Sequence, residues 1–320
     1  MTQQRRPDGS LRHLLTLAGL PRGELEALLE RAQYYVRRAG SPAARSDALA
    51  GVTVANMFTE PSTRTRVSFE LAAKRLGAEV VNLEMQLSSR VKGESMLDTV
   101  FTLESLHVDV FVLRDAEVGV PAMVATNVAP HVSVLSAGEA HVSHPTQGLL
   151  DALTVLQKKG RCDGLSIAIV GDIEHSRVAR SACHAFQTLG TTDLRIVAPT
   201  ALMPAADEFA GCVRETDIAR GIAGCDVVMM LRIQKERFAD AAIPAGDEYF
   251  REYGLTAARL AQAKPDAIVM HPQPMNRGVE IESAVADGPQ SVIRLQVANG
   301  VAVRMAALEV LAAPLAARKG

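Results

Sequence analysis

Short apolar runs recur along the chain, each followed by a polar loop and then by a stretch with helical spacing, and this alternation limits the fold more than any other feature. Residues 52–58, 80–83, 108–113 and 132–135 are such runs in the first half, and 166–170, 194–198, 227–231 and 267–270 continue the series. Valine, isoleucine and leucine dominate them, as expected of strands buried on both faces. The intervening spacing predicts helices over 24–38, 63–76, 95–105, 145–156 and 177–189, with Gly77 as a C-terminal cap. Strands alternating with helices predict parallel sheets covered on both sides, hence an α/β chain. At 320 residues the chain is long for one hydrophobic core. Lys158-Lys159-Gly160 marks a plausible break. The expected organisation is two doubly wound parallel-sheet domains, 1–157 and 158–296, with an apolar helix over 297–320 returning to the first.

Composition narrows the function by exclusion. A net charge of −2, from 34 basic and 36 acidic side chains, argues against a general nucleic-acid binder but leaves room for a local arginine cluster. Cys162, Cys183, Cys212 and Cys225 form no CxxC pair, so no metal site is expected and the thiols read as buried or idle in a reducing compartment. Arg5, Arg6 and the apolar residues 14–20 faintly suggest a signal peptide, but Thr16 and Gly19 interrupt that run. No apolar run is expected to approach the ~20 residues that span a bilayer. A cytoplasmic protein is expected.

In doubly wound sheets, ligands bind beyond the carboxyl ends of the strands, so polar residues just after strands are the candidates. Ser62-Thr63-Arg64-Thr65-Arg66 follows the first long strand. With Ser62 read as an N-cap, backbone N–H groups, hydroxyls and guanidinium groups would crowd one helix N-terminus, an arrangement suited to phosphate. The alternative, a capped helix with solvated arginines, explains fewer of these residues. His144-Pro145-Thr146-Gln147 places an imidazole just before a helix and an amide one turn in, Pro145 suiting the first helical position. A lone histidine there would more often be structural. Gly171-Asp172-Ile173-Glu174-His175-Ser176-Arg177 lacks the further glycines that a dinucleotide loop needs, and Arg177 suits a carboxylate instead. Arg232-Ile233-Gln234 and His271-Pro272-Gln273-Pro274 follow later strands. Singly they are weak signals; the two prolines bracket a stiff turn whose carbonyls can accept from an –NH₂ group. Arg114 ends a strand at the phosphate-loop edge, and Lys92 lies in a polar loop that would ordinarily just face solvent.

Taken together and in order, Ser62-Thr63-Arg64-Thr65-Arg66, Lys92-Gly93-Glu94, His144-Pro145-Thr146-Gln147, Arg232 to Arg237 and His271 to Pro274 resemble the aspartate carbamoyltransferase catalytic chains over nearly the whole sequence. The resemblance implies that Ser62, Thr63, Arg64, Thr65 and Arg114 hold the phosphate of carbamoyl phosphate. It implies that Thr65, Arg114 and His144 converge on the carbamoyl oxygen, and that Gln147 and the main-chain carbonyls of Gln273 and Pro274 hold the –NH₂. Arg177, Arg232 and Gln234 would bind the aspartate carboxylates. Lys92, with Ser88 or Ser89, would enter a neighbouring site in a homotrimer, and regulatory or dihydroorotase-like chains are possible further partners. Glu60 is expected to pair with Arg177, Arg237 or both on domain closure. No metal and no cofactor are expected, since phosphate is a good leaving group and can take the amine's proton. Positioned donors on the developing oxyanion would contribute roughly 3 kcal/mol each.

The related ornithine branch carries a Ser-Met-Gly element and a His-Cys-Leu-Pro turn, and both are absent here. Gln273 departs from the small or apolar residue common in the aspartate branch.

Overall fold

The computed structural model describes residues 4–36, 41–84, 94–233 and 246–316. Contacts divide the chain into two units, Met1–Leu149 with Asn299–Gly320, and Leu150–Ala298. The first unit opens with α1 (Arg22–Tyr35), which buries Leu25, Leu28, Leu29 and Ala32 at helical spacing. It continues through β1 (Thr53–Phe58), α2 (Thr63–Arg75), β2 (Glu79–Glu84), α3 (Met96–Ser105), β3 (Val110–Asp115), α4 (Val120–Asn127) and β4 (Ser133–Glu139). These strands form one parallel sheet in the order β2-β1-β3-β4. Asn56 is fully buried within β1, and its amide donates to Asn82 Oδ1 at 2.9 Å, its register partner on β2. A buried polar side chain is tolerated where it is paired in this way. A reciprocal capping box between Ser95 and Asp98 fixes the start of α3. Met57, Phe111, Val100, Leu103, Val124 and Val134 share one core between sheet and helices.

Next, α5 (Pro145–Lys159) carries the chain into the second unit. There follow β5 (Ser166–Val170), α6 (Arg177–Thr188), β6 (Asp193–Val197), β7 (Val213–Glu215), α7 (Ile218–Ile222), β8 (Val227–Met230), α8 (Gly246–Tyr253), α9 (Ala257–Leu260), β9 (Ile268–Met270), α10 (Ser283–Ala286) and α11 (Ile293–Ala316). The second sheet is also parallel, in the order β7-β6-β5-β8-β9. Contacts divide the units inside α5, ahead of the Lys158–Gly160 break in the sequence, because the later part of that helix bonds within the second unit. Asp151 accepts from Gln296 Nε2 at 2.7 Å, and Lys159 reaches Asp266 Oδ2 at 2.8 Å.

The helix α11 amends one sequence expectation. Over Ile293–Leu315 it is long and apolar enough to cross a bilayer, with a mean hydropathy of 1.3, yet 67% of that window is buried inside the protein. Its later turns belong to the first unit's core, where Met305, Leu308, Leu311 and Ala312 are buried. Arg31 of α1 pairs with Glu309 through both carboxylate oxygens, and Tyr35 donates to the same group at 2.9 Å.

Both sheets reverse direction beside their first strand. The chain moves outward from β1 to β2 and returns to β3 on the other side. It does the same from β5 through β6 and β7 before returning to β8. Such switch points leave a crevice at the carboxyl edge, between loops that diverge.

Candidate active site

The first unit gathers its predicted residues at this edge. Parallel pairing brings Phe58, at the end of β1, level with Arg114 on β3. The Thr59 N–H and hydroxyl both donate to the Arg114 carbonyl, at 3.0 and 3.2 Å, closing the strand ends together. The Ser62–Arg66 loop then enters α2. Ser62 occupies the N-cap position, but its hydroxyl makes no cap hydrogen bond, which corrects the sequence reading. The first turn also holds no acidic residue. Backbone N–H groups in a helix's opening turn lack intrahelical acceptors, so the dipole here is left for an outside anion. Thr63 and Arg64 are exposed, whereas Thr65 and Arg66 are half-buried.

Arg114 bridges this edge. Its Nε lies 3.1 Å from Glu60 Oε2, and its Nη1 donates to the Ala137 carbonyl of β4 at 3.4 Å. The guanidinium is thus held between the loop that follows β1 and the end of β4. The sequence reading pairs Glu60 with Arg177, Arg237 or both on domain closure; within the first unit this carboxylate lies against Arg114, and Arg237 is outside the described residues.

The turn after β4 sets the histidine. Ala140 N–H donates to the Asp115 carbonyl, and Glu139 pairs with Ser143 through a backbone bridge, so this turn is fastened to the end of β3. His144 is buried just before α5, and its carbonyl accepts from the Gln147 and Gly148 N–H groups. Thr146 is fully buried, with no hydrogen bond to its Oγ1. Gln147 is buried one turn in.

The second unit repeats the scheme with different side chains. Gly171 ends β5 at φ +139°, and a Cβ there would lie 2.9 Å from Leu231 Cβ. A glycine is needed for this close approach of two strand ends, so the residue serves packing and not a pyrophosphate. Buried Asp172 accepts from the His175 backbone N–H at 3.2 Å and faces His175 Nδ1 at 2.9 Å, pinning the loop. Ser176 caps α6 by accepting from Ala179 N–H, and Arg177 begins the helix in a first turn without acidic residues. Arg232 follows β8, the strand paired with β5, at the same edge.

After β9, His271 organises the proline turn, a role the sequence did not disclose. Its Nδ1 accepts from the Gln273 N–H at 2.9 Å, which leaves the ring proton on Nε2, facing Glu280 Oε1 at 3.1 Å. Both side chains are fully buried. Gln273 adopts φ +59°, a conformation costly for a residue with a side chain, and its bond to Pro274 is cis. Asn276 Nδ2 donates to the Ile233 carbonyl at 3.1 Å, tying this turn to the Arg232 loop. Lys92, Ser88, Ser89 and Gln234 fall outside the described residues.

Arginine and hydroxyl groups around a helix N-terminus in one unit are an arrangement suited to phosphate, and two arginines beyond the carboxyl edge of the other sheet are suited to carboxylates. Residues 12–157 match the sequence model for the aspartate/ornithine carbamoyltransferase carbamoyl-P binding domain, and residues 163–311 match that for the family's Asp/Orn binding domain. The chain belongs to the aspartate/ornithine carbamoyltransferase family. Among similar solved structures is aspartate transcarbamoylase from Trypanosoma cruzi in complex with N-(phosphonacetyl)-L-aspartic acid, at 30% identity over 97% of this chain and 99% of that one, with a TM-score of 0.84. The same enzyme with carbamoyl phosphate and aspartate is 31% identical over 94% and 96%, with a TM-score of 0.82. Ornithine carbamoyltransferase from Pyrococcus furiosus is 29% identical over 94% and 96%, with a TM-score of 0.81.

Proposed function

We propose that this chain transfers the carbamoyl group of carbamoyl phosphate to the amine of L-aspartate, giving N-carbamoyl-L-aspartate and phosphate, an early step of pyrimidine synthesis. Overall identity does not choose between the family's two branches, since relatives of both kinds lie near 30%. The observation that carries the choice is the second unit's switch point, where Arg177 opens the helix that follows β5 and Arg232 lies just beyond β8, the strand paired with β5. Two guanidinium groups favour a dicarboxylate acceptor and disfavour one that carries a second ammonium group.

In this reading Ser62, Thr63, Arg64, Thr65 and Arg114 bind phosphate. Thr65, Arg114 and His144 donate to the carbamoyl oxygen, and Gln147 with the carbonyls of Gln273 and Pro274 accepts from the carbamoyl –NH₂. Attack by the aspartate amine forms the new C–N bond and breaks the carbonyl C–O bond to phosphate. The amine's proton leaves with the phosphate. Negative charge grows on the carbonyl oxygen as the amine attacks, so the donors count most at the transition state. Orientation of the two anions supplies most of the remainder.

The assay is carbamoyl transfer to a panel of amines. Product from aspartate, with none from ornithine, is expected; the reverse preference would overturn the reading. The same reading makes the chain a cytoplasmic homotrimer, with Lys92 and Ser88 or Ser89 serving a neighbour's site. Native mass measurement should return three times the 34.1 kDa chain, or more if regulatory or dihydroorotase-like chains join it.

A further inference from the structure

Away from the carboxyl edge of the second sheet, two cysteines lie in contact. Cys183, buried on α6, and Cys212, half-buried just before β7, have sulfurs 3.7 Å apart. This closeness is built by the surroundings. Arg180 of α6 pairs with Glu208, and its guanidinium sits 5.1 Å above the Phe209 ring. Gln187, also of α6, donates to the Ala210 carbonyl at 2.7 Å and to Cys212 Sγ at 3.5 Å. Positive φ angles at Phe209 and Gly211 bend the loop back over the helix. Two side chains of one helix face, Arg180 and Gln187, thus hold Cys212 against Cys183.

The pair is chemically asymmetric. A hydrogen bond with Cys183 lowers the Cys212 thiol below its ordinary range against the cost of burial, and Arg214 adds to the effect. Cys183 is pushed up by the same hydrogen bond and by burial. Thiolate character and access together select the cysteine that oxidants reach, and a neighbouring thiol resolves it. Cys225 is the contrast, fully buried, with its thiol raised by burial to about 11. Cys162 is likewise buried.

We propose that Cys212 and Cys183 form a hydroperoxide-reactive pair, Cys212 as the attacking sulfur and Cys183 as the resolving one. The Cys212 thiolate attacks the peroxide, the O–O bond breaks, and a sulfenic acid and hydroxide result, the hydroxide leaving as water after protonation. The Cys183 sulfur, giving up its proton, then attacks Cys212, the S–O bond breaks, and a second water leaves as the disulfide forms. Two thiols are oxidised and one peroxide is reduced. The sulfurs must close by roughly 1.7 Å to reach bonding distance, a shift that side-chain rotation can supply. The site does not depend on which carbamoyl acceptor the protein uses.

The test treats the full chain with hydrogen peroxide, blocks remaining thiols with iodoacetamide, and maps peptides without reduction. A Cys183–Cys212 linked peptide is expected, lighter than the two thiols by two hydrogen atoms and lost on treatment with dithiothreitol. In C183S the reaction should stop at Cys212 sulfenic acid, trapped by dimedone. In C212S no disulfide should form. Without any substitution, iodoacetamide should label Cys212 at least ~10-fold faster than Cys225. A disulfide between other cysteines, no linked peptide, or equal labelling of Cys212 and Cys225 would each overturn the proposal.

Discussion

The two switch points use one topological device with opposite local chemistry. In the first unit the loop after β1 runs into a helix whose opening turn has neither a side-chain cap nor an acid, with Thr63 and Arg64 exposed. The cationic groups of this edge are contiguous in sequence, apart from Arg114. In the second unit the loops are fastened from inside by buried carboxylates, Asp172 beneath His175 and Glu280 beneath His271, and the arginines are spread over separate loops. A phosphate can be met by one helix end, because its oxygens lie within one turn's reach. An amino acid with two carboxylates needs cations placed apart, so several strand ends must be positioned relative to one another. The buried carboxylates fasten two of those loops, through His175 in one and through His271 and the Asn276 N–H in the other.

Substitutions can break this comparison, and the largest effect is expected in the first unit. Arg114→Ala removes the proposed oxyanion donor and the bridge between the β1 loop and the end of β4, and should lower kcat about 100- to 1,000-fold in steady-state assays. Next, Arg232→Ala should raise the KM for aspartate ~10- to 100-fold, corresponding to a lost charge-assisted pair of about 1.5–3 kcal/mol. The KM for carbamoyl phosphate should stay put; if both constants rose together, the division of labour between the units would be wrong.

His271→Ala sharpens the comparison further. Losing the Nδ1 acceptor frees the Gln273 N–H and leaves Glu280 without its histidine partner. The turn should then recognise the carbamoyl –NH₂ poorly, lowering carbamoyl phosphate affinity about 10-fold. Binding of inorganic phosphate, measured by calorimetry, should be unchanged, and a parallel loss of phosphate binding would make His271 a general stability residue. Glu60→Gln, which weakens the partly buried pair with Arg114, should cost about 1 kcal/mol, or roughly fivefold in kcat/KM.

The last effect is absent near neutral pH, concerns stability and lies outside either loop set. His13 is fully buried, its Nδ1 accepting from Val134 N–H at 2.9 Å. Burial, aided by Arg12 and Arg6, holds its pKa down at about 3, against 6.5 when free. Between those values the unfolded chain binds the proton and the folded chain does not. His13 therefore costs no stability above about pH 6.5, and stability falls as the solution is acidified, by about 2 kcal/mol on reaching roughly pH 5. Urea denaturation of His13→Gln should show a flatter acid limb; an unchanged slope would remove His13 from the account.

Where local pattern decided the outcome, the structure could be read in advance. The run Ser166–Val170 was legible because four of its five residues are aliphatic and β5 is buried between neighbours on both sides. The Ser62–Arg66 loop stood out because its ligand groups are adjacent in sequence. By contrast β7, three residues at a sheet edge and largely exposed, has no apolar signature and exists through its pairing with β6. The helix α4 went unread because Val118-Gly119-Val120-Pro121 resembles a strand and turn, whereas Gly119 adopts a left-handed φ of +90° and Pro121 sits in the first turn. Ser62 has the residue type of a cap, yet only geometry could show that its hydroxyl makes no cap hydrogen bond. The His271–Glu280 pair and the Cys183–Cys212 contact join residues whose separation follows no helical or strand period, so tertiary packing alone reveals them.

The passage of the chain out through α5 and back through α11 fixes an order of manufacture. The second unit is a single uninterrupted segment, Leu150–Ala298, and can complete itself once that stretch has left the ribosome. The first unit lacks Met305, Leu308 and Leu311 until synthesis has passed the second unit entirely. Domains commonly mature from the amino terminus onward during synthesis; here the unit whose sheet is translated first is the one that must wait, with part of its apolar interior open to water until α11 arrives.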